Sequence, residues 1–287
     1  MSQASTARVC IVSGATSGIG RACALELAAT GAELHLIVRS PERGEATRRE
    51  IVESTGNTAV HLVRGDFTSQ AETRRAAAEL LEACPRIDLL LNNAGVVHLR
   101  RTTTPDGIES TFAVNHLGYF LLTNLLLPRL KETPGAHVVS VASDAHKFGG
   151  AIDFDDLELE SGYGWTRAYG RSKGANILFT RELARRLEGH DVRANCVHPG
   201  FVRSNLGANN GGIGRWIVRT AGIFAMSPER AARHILYVCN APELADASGR
   251  YFAKSREITP ARWARDDASA RRLWEISERM TGLARAA

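Results

Sequence analysis

Short apolar runs alternate with amphipathic stretches along the 287-residue chain. The apolar runs are rich in Val, Ile and Leu, as is typical of strands covered by helices on both faces. Six of them are predicted strands, over residues 8–14, 33–40, 58–66, 87–95, 136–143 and 191–200. Helices are predicted over residues 21–31, 42–55, 71–85, about 106–131 and about 166–187. This alternation predicts an α/β fold: a single-domain Rossmann-type doubly wound parallel sheet of about seven strands, with helices on both faces.

Composition narrows the class of protein further. The longest apolar runs, such as Phe120 to Leu127, are far shorter than a bilayer-spanning helix, and the first ten residues do not resemble a secretory leader. The five cysteines lack CxxC spacing, as is typical of reduced thiols. The net charge of +5 comes from arginines interspersed with acids, which favours a solvated surface over a nucleic-acid site. We therefore predict a cytoplasmic protein with no membrane anchor and no nucleic-acid partner.

A glycine-rich turn joins the first predicted strand to the first helix. Glycines at such a turn allow close approach of the backbone to a pyrophosphate, and the following helix N-terminus offers free N–H groups. The alternative is a glycine-rich surface turn, since the spacing GxxxGxG differs from the commoner GxGxxG. The predicted cofactor-binding residues of the turn are Gly14, Thr16, Ser17, Gly18, Ile19 and Gly20.

The end of the second predicted strand indicates which dinucleotide is bound. NAD-binding proteins usually carry an acid here for the ribose 2′-hydroxyl, but this chain has Arg39. A guanidinium can bind a 2′-phosphate with two hydrogen bonds, so Arg39 favours NADP(H), and Arg21 adds positive charge nearby. The alternative for both is an ordinary surface arginine.

Tyr169 and Lys173 lie four residues apart in a predicted helix, which places them on one face. A neighbouring ammonium lowers the pKa of a phenol and makes it usable as an acid or base. Taken alone, the pair could also be an ordinary surface pair. However, polar motifs end several other strands: Asn92-Asn93-Ala94-Gly95, Ser143 and His198-Pro199-Gly200. Ligands bind at this edge of an open α/β sheet.

Together these motifs resemble the classical short-chain dehydrogenase/reductase family, from about Arg8 to about Phe252. The ordered set is SGATSGIG, NNAG, Asn115, Ser143, YGRSK and HPGFVRS. One motif is a weak signal, whereas six in order are specific. The chief departure is Ser13, where the family usually has threonine. Since serine keeps the hydroxyl, we expect little change.

The resemblance implies a catalytic role for four residues. Tyr169 exchanges a proton with the substrate oxygen, and Ser143 hydrogen-bonds that oxygen. Lys173 lowers the pKa of Tyr169 and holds the nicotinamide ribose, while Asn115 positions a water that relays protons through Lys173. The resemblance also implies further cofactor contacts, from Asp66 and Phe67 at the adenine, from Asn93, Ala94 and Gly95 at the adenosine ribose, and from Pro199, Gly200, Val202 and Ser204 at the nicotinamide.

Two segments are similar to the retinol-dehydrogenase-like branch of the family, which includes the WW-domain-containing oxidoreductase. They are the insertion between Ser143 and Tyr169 and the C-terminal stretch from about residue 248. Members of this branch mostly use NADP(H) and act on bulky apolar alcohols or carbonyls. Within one domain of residues 1–287, the resemblance implies a cofactor-binding and catalytic core over 8–200 and a substrate lid over 201–226. The remaining segment is a helical tail over 254–287.

The roles of the predicted lid and of the predicted tail each have an alternative. The lid includes Trp216, which either covers an apolar substrate or packs in an ordinary helix. The tail helix, with Leu273 and Trp274, is predicted to pack on the core or on another subunit of a homo-oligomer, rather than on a membrane. No metal site is predicted, because neither His116 nor His146 has a second ligand at metal spacing.

The predicted function is an NADP(H)-dependent oxidoreductase that interconverts an alcohol and a ketone or aldehyde on a bulky apolar small molecule. The main alternative is a catalytically silent NADP(H)-binding sensor or scaffold on the same fold. An epimerase or dehydratase is a further alternative, but such enzymes usually carry a larger C-terminal substrate domain. A nucleic-acid binder lacks any recognition motif here.

Overall fold

The computed structural model describes residues 7–202 and 226–283 of the chain. Within them, eight strands form one sheet in the order β3-β2-β1-β4-β5-β6-β7-β8, parallel except for the last pair. This confirms the predicted doubly wound fold and adds a short antiparallel hairpin at the edge. The strands are β1 (Val9–Ser13), β2 (Glu33–Val38), β3 (Val60–Arg64), β4 (Leu89–Asn92), β5 (Ala136–Val141), β6 (Val192–His198), β7 (Tyr251–Ala253) and β8 (Arg256–Glu257).

Helices cover both faces of the sheet. One core cluster joins the sheet to α3, α5 and α7, and a second joins it to α1, α2 and α8. The helices are α1 (Gly18–Ala29), α2 (Pro41–Thr55), α3 (Gln70–Ala83), α4 (Ser110–Phe112), α5 (Gly118–Glu132), α6 (His146–Gly149), α7 (Trp165–Arg186), α8 (Pro228–Asn240) and α9 (Asp267–Met280); a π-turn (Ala113–Leu117) links α4 to α5, and Pro242–Leu244 and Arg262–Arg265 form 3₁₀ turns.

The predicted helix over about 106–131 starts later than expected. Gly107 has a left-handed φ of 81°, which no regular helix contains. The Glu109 carboxylate then accepts hydrogen bonds from the backbone N–H groups of Thr111 (2.8 Å) and Phe112 (2.7 Å). Glu109 therefore caps the first turn, so the helix begins at Ser110.

The tail helix α9 packs on the core of its own chain. The Trp274 ring stacks on Phe179 of α7, with centroids 5.8 Å apart, and meets the edge of Phe120 at 4.8 Å. Residues 254–266 of the predicted helical tail instead contain β8 and a 3₁₀ turn. The tail helix thus contributes to the same aromatic core as α5 and α7.

The five cysteines are all buried and free. In the described parts of the chain, no helix is both long enough and apolar enough to cross a bilayer.

The order of the strands positions the site. β1 lies between β2 and β4, so the crossover connections leave β1 on opposite sides. A crevice opens beyond the carboxyl ends of the strands at such a switch point, and ligands of open α/β sheets bind there. The glycine turn, the Asn92–Gly95 segment, Ser143 and the His198–Gly200 segment lie at or just after these strand ends. Asn115 lies in the π-turn, and Tyr169 and Lys173 lie in α7.

Candidate active site

The glycine turn after β1 lies against the loop that follows β4. A Cβ atom on Gly14 would lie 2.7 Å from the Ala94 Cα, and one on Gly20 would lie 2.3 Å from the Gly14 carbonyl oxygen. Real side chains do not tolerate such contacts, so both positions require glycine. Gly18 has a left-handed φ of 53°, and its added Cβ would meet only open space. The turn therefore combines tight internal packing with an accessible outer backbone.

The hydroxyl of Ser13 holds this turn and the β4 loop together. It accepts hydrogen bonds from the backbone N–H groups of Asn93 (2.9 Å) and Ala94 (3.1 Å). The Asn93 side chain donates in return to the carbonyls of Ser13 (3.0 Å) and Gly14 (3.3 Å). Since these contacts need only a hydroxyl, serine can serve where the family usually has threonine.

The N-terminus of α1 is open, unlike those of four other long helices. Side chains cap α2, α3, α8 and α9, through Ser40, Ser69, Ser227 and Asp266. Ser17 makes no side-chain cap at α1, and the first turn carries no acid. Thr16, Ser17, Gly18 and Ile19 are all partly exposed there. The free N–H groups and the positive end of the helix dipole suit a phosphate.

Arg39 follows β2 at the same edge and is exposed. It makes no ion pair with any residue that the structure describes, although its charge helps to lower the pKa of His98, after burial of that imidazole. Arg21 instead pairs with Glu50 of α2, which offsets its charge. Asp66 is partly exposed at the end of β3 and bonds Thr68, whereas the Phe67 ring packs beneath Gly118 of α5.

Asn115 lies in the π-turn and is completely buried. Its side chain holds the backbone of Val96, accepting from the N–H (2.8 Å) and donating to the carbonyl (3.0 Å). It also donates to the Ser172 hydroxyl (3.0 Å), which in turn donates to the Tyr169 carbonyl (2.8 Å). Asn115 thus connects the β4 loop to α7. A π-turn often marks a functional site, because it redirects a side chain out of the regular helical ladder.

The structure brings Ser143, Tyr169 and Lys173 together. Ser143 follows β5, and its side chain lies close enough to the phenol of Tyr169 to lower its pKa. Lys173 lies one helical turn beyond Tyr169, with its Nζ 5.7 Å from the centre of the phenol ring. This ammonium is buried and donates a 2.9 Å hydrogen bond to the Val141 carbonyl. Two hydroxyls and one ammonium therefore converge at the end of β5.

Burial is the largest influence on the pKa values of Tyr169 and Lys173. It raises the pKa of Tyr169 to about 12, against the opposing effect of the Ser143 hydrogen bond. It also lowers the pKa of Lys173 to about 8. The sequence predicts a lowered phenol pKa, whereas burial raises the pKa of Tyr169, because desolvation disfavours the phenolate. The phenol is therefore protonated at neutral pH.

Two neighbours of Lys173 were not singled out from the sequence. The Tyr119 ring lies on its other side, 5.6 Å from Nζ, with the hydroxyl donating to the Ala94 carbonyl at 2.6 Å. Asn176 donates to the Val141 carbonyl that Lys173 also uses, at 3.3 Å. Tyr119 follows Asn115 by four residues, and this spacing was the available signal.

The residues that follow β6 line the remaining side of the candidate active site. Pro199 is buried, and Gly200 has a φ of 102°, with Met226 against it. Val202 and Met226 form a parallel bridge, and the Met226 N–H donates to the Phe201 carbonyl at 2.8 Å. The two ends of the predicted lid are thus joined. Ser204, Trp216 and the rest of residues 203–225 lie outside the described residues.

The two histidines considered as ligands or bases have structural roles. His116 is buried, its Nε2 lies 2.9 Å from the Ser277 hydroxyl of α9, and burial lowers its pKa to about 3. His146 contacts the Ser143 carbonyl through Nδ1 and the Ala261 N–H through Nε2. Both nitrogens of His146 are therefore occupied, and His116 joins α9 to the core.

Comparison with known proteins establishes the family. The family profile described as short chain dehydrogenase matches residues 8–212. The chain belongs to the short-chain dehydrogenase family. It is 43% identical to human retinol dehydrogenase 13, over 95% of this chain and 84% of the relative, and 43% identical to mouse retinol dehydrogenase 14, over 95% and 85%. These relatives place it in the retinol-dehydrogenase-like branch, as the insertion and tail predict.

Solved structures agree with this assignment. A crystal structure of an uncharacterised protein from Mycobacterium paratuberculosis is 33% identical, with a TM-score of 0.77, over 96% of this chain and 93% of that one. A short chain dehydrogenase from Burkholderia cenocepacia, solved in complex with NADP, is 26% identical, with a TM-score of 0.67, over 86% and 95%. The protein is thus an oxidoreductase of a family that uses nicotinamide cofactors on small molecules.

Proposed function

We propose that this dehydrogenase uses NADP(H) to interconvert an alcohol and a ketone or aldehyde on a bulky apolar small molecule, with Tyr169 as general acid and base. The observation that carries the proposal is the convergence of the Ser143 and Tyr169 hydroxyls beside the buried Lys173. A single substrate oxygen can contact both hydroxyls there. A cytoplasmic location, a homo-oligomer and division into core, lid and tail stay predictions from the sequence.

The described residues fit a dinucleotide phosphate. Gly18 leaves open space where a side chain would stand, and the N-terminus of α1 is neither capped nor acidic. Arg39 is exposed at the neighbouring strand end, where it would bind the 2′-phosphate. Asp66 would contact the adenine, and Lys173 the nicotinamide ribose. When bound, the cofactor supplies hydride to a carbonyl carbon or accepts it from an alcohol.

The protein's own part in the reaction is to hold and move a proton. Because burial keeps the Tyr169 phenol protonated, it can donate to the developing alkoxide during carbonyl reduction. Ser143 donates a second hydrogen bond to the same oxygen and stabilises its charge. Asn115 and Ser172 hold the backbone of α7 at Tyr169, so the phenol is positioned before substrate arrives. In alcohol oxidation the phenol must lose its proton first.

Exposed aromatic side chains support an apolar substrate. Phe148 is 82% exposed and follows Ser143 in α6, and Phe201 is 65% exposed just beyond Gly200. Trp165 is 46% exposed and lies one helical turn before Tyr169. These side chains would offer apolar contacts to a substrate at this edge of the sheet. The names of the relatives, retinol dehydrogenases, also refer to an apolar alcohol.

Cofactor preference tests the proposal most simply. We expect kcat/KM to be higher with NADPH than with NADH, using a panel of apolar aldehydes and aromatic ketones. Arg39→Asp should reverse or abolish this preference, since it removes a cation and adds repulsion toward a 2′-phosphate. Arg271→Asp, on the exposed surface of α9, is the matched control for the charge change.

The outcomes separate the candidate functions. A wild-type protein that prefers NADH would contradict the assignment of Arg39. A protein that binds NADPH but reduces no carbonyl in the panel would favour the silent sensor instead.

A further inference from the structure

A cluster of metal-ligating side chains lies at the opposite end of the sheet from the active site. His35 of β2 and His61 of β3 are cross-strand partners, and Glu33 precedes His35 by two residues on the same face of the strand. The two imidazole rings stack, with centroids 4.8 Å apart and an angle of 25° between their planes. Pairing of the two strands thus brings together residues far apart in the sequence.

The two imidazole nitrogens converge on one carboxylate oxygen. Oε1 of Glu33 lies 3.0 Å from Nε2 of His35 and 3.7 Å from Nε2 of His61. Tetrahedral zinc, with bonds of about 2.0–2.1 Å to such ligands, separates neighbouring ligand atoms by roughly 3.3 Å. The observed separations lie on either side of that value, and the three ligand atoms lie within 4.8 Å of one another. Because the two rings stack, the half-exposed His61 ring would rotate so that both imidazole lone pairs point at one ion.

The surroundings suit entry of an ion from solvent. The His35 side chain is 3% exposed, that of Glu33 is 32% exposed and that of His61 is 53% exposed, so the cluster is closed on one side and open on the other. Glu79 of α3 adds a further negative charge near His35. Two imidazoles with one carboxylate favour a transition metal of the zinc class over Mg²⁺ or Ca²⁺, which prefer oxygen ligands.

We propose that Glu33, His35 and His61 bind a divalent transition-metal ion of the zinc class, which clamps the edge strand β3 to β2. Solvent completes the coordination on the open side, beside His61. The clamp stabilises the fold, because β3 is the edge strand of the sheet formed by the described residues. It lies away from the carboxyl ends of the strands, so the ion takes no part in hydride transfer.

Zinc titration of the chelator-treated, full-length protein tests this site. We expect one equivalent of Zn²⁺ to bind by calorimetry, and Co²⁺ to give the intense visible absorption of a tetrahedral site. Zn²⁺ at about a hundredfold excess over its Kd should raise the unfolding midpoint by roughly 5 °C. His61→Ala and Glu33→Gln should each weaken Zn²⁺ binding at least about tenfold and remove most of the thermal shift.

Two controls keep the result specific. His190→Ala removes another exposed histidine and should leave Zn²⁺ binding unchanged. Without metal, His61→Ala should keep the wild-type unfolding midpoint, since its side chain is half-exposed. Absence of Zn²⁺ binding, or binding to His61→Ala as tight as to wild type, would overturn the proposal and leave a hydrogen-bonded cluster without an ion.

Discussion

Two tyrosines flank Lys173 at nearly the same distance, yet their surroundings differ. Tyr119, on α5, is fully buried, and its hydroxyl donates to the Ala94 carbonyl. Tyr169, on α7, is partly exposed, and the Ser143 side chain lies beside its phenol. Burial raises the pKa of both phenols. The Tyr119 phenol therefore stabilises the loop that follows β4, whereas the Tyr169 phenol is available to a substrate.

The largest effect is expected at Tyr169. Tyr169→Phe keeps the ring but removes the proton that the substrate oxygen needs, so kcat for carbonyl reduction should fall about 10²–10⁴-fold. Steady-state kinetics with NADPH and an apolar aldehyde measures this loss. The Kd for NADPH, from fluorescence titration, should change little. Retention of most of the activity would mean that another group protonates the substrate.

Lys173→Met should separate activity from stability. We expect a loss of activity and of cofactor affinity, but a higher unfolding midpoint at pH 7, because the variant no longer buries a charge. The pKa of Lys173 is about 8 when folded and about 10.5 in a model peptide, so the cost of burial is at most about 3 kcal/mol. Asn176 still donates to the Val141 carbonyl in the variant.

The folded and unfolded pKa values of Lys173 determine how the stability of the protein changes with pH. Between pH 8 and 10.5 the unfolded chain holds the Lys173 proton that the folded chain has lost. Wild-type stability should therefore rise with pH in this window, and the advantage of Lys173→Met should shrink there. Thermal unfolding at several pH values measures the difference, and an advantage that does not change with pH would contradict the explanation.

Ser13→Ala should destabilise the fold by about 1–3 kcal/mol, since the partly buried N–H groups of Asn93 and Ala94 would lose their acceptor. Denaturant unfolding measures the change. Ser13→Thr is the matched control, because threonine retains the hydroxyl and should leave stability near that of wild type. Equal losses in both variants would show that the hydroxyl is not the important group.

Tyr119→Phe should give a smaller effect of the same kind. Loss of its hydroxyl leaves the Ala94 carbonyl without this donor, at a cost of about 1–2 kcal/mol. Its kcat should stay close to that of wild type, since the Tyr169 hydroxyl is untouched. A loss of kcat comparable to that of Tyr169→Phe would remove the proposed difference between the two sides of Lys173.

Local patterns in the sequence predict much of this site. The glycine spacing, the strand ends and the Tyr169–Lys173 spacing are all short-range features, and the structure places them at one edge of the sheet. The π-turn at Asn115 was not predictable in this way, because it depends on tertiary contacts with Val96 and Ser172. The raised pKa of Tyr169 likewise depends on how deeply α7 is packed.

The cluster of Glu33, His35 and His61 was not predicted, because it depends on the register between two strands. Glu33, His35 and His61 show no metal-binding spacing in the sequence, since the two histidines lie 26 positions apart. Only the pairing of β2 with β3 makes them neighbours. The late start of the helix at Ser110 depends in a similar way on capping by Glu109, which a hydrophobic pattern does not reveal.

The most direct test of the central claim is a single-turnover comparison of Tyr169→Phe and Tyr119→Phe. Each variant is saturated with NADPH and mixed with an apolar aldehyde, and the loss of NADPH is followed alongside formation of the alcohol. We expect rapid conversion of the aldehyde by wild type and by Tyr119→Phe. Conversion by Tyr169→Phe should be slower by about 10²–10⁴-fold, with unchanged affinity for NADPH. Equal rates in the two variants would contradict the assignment of Tyr169 as the proton donor.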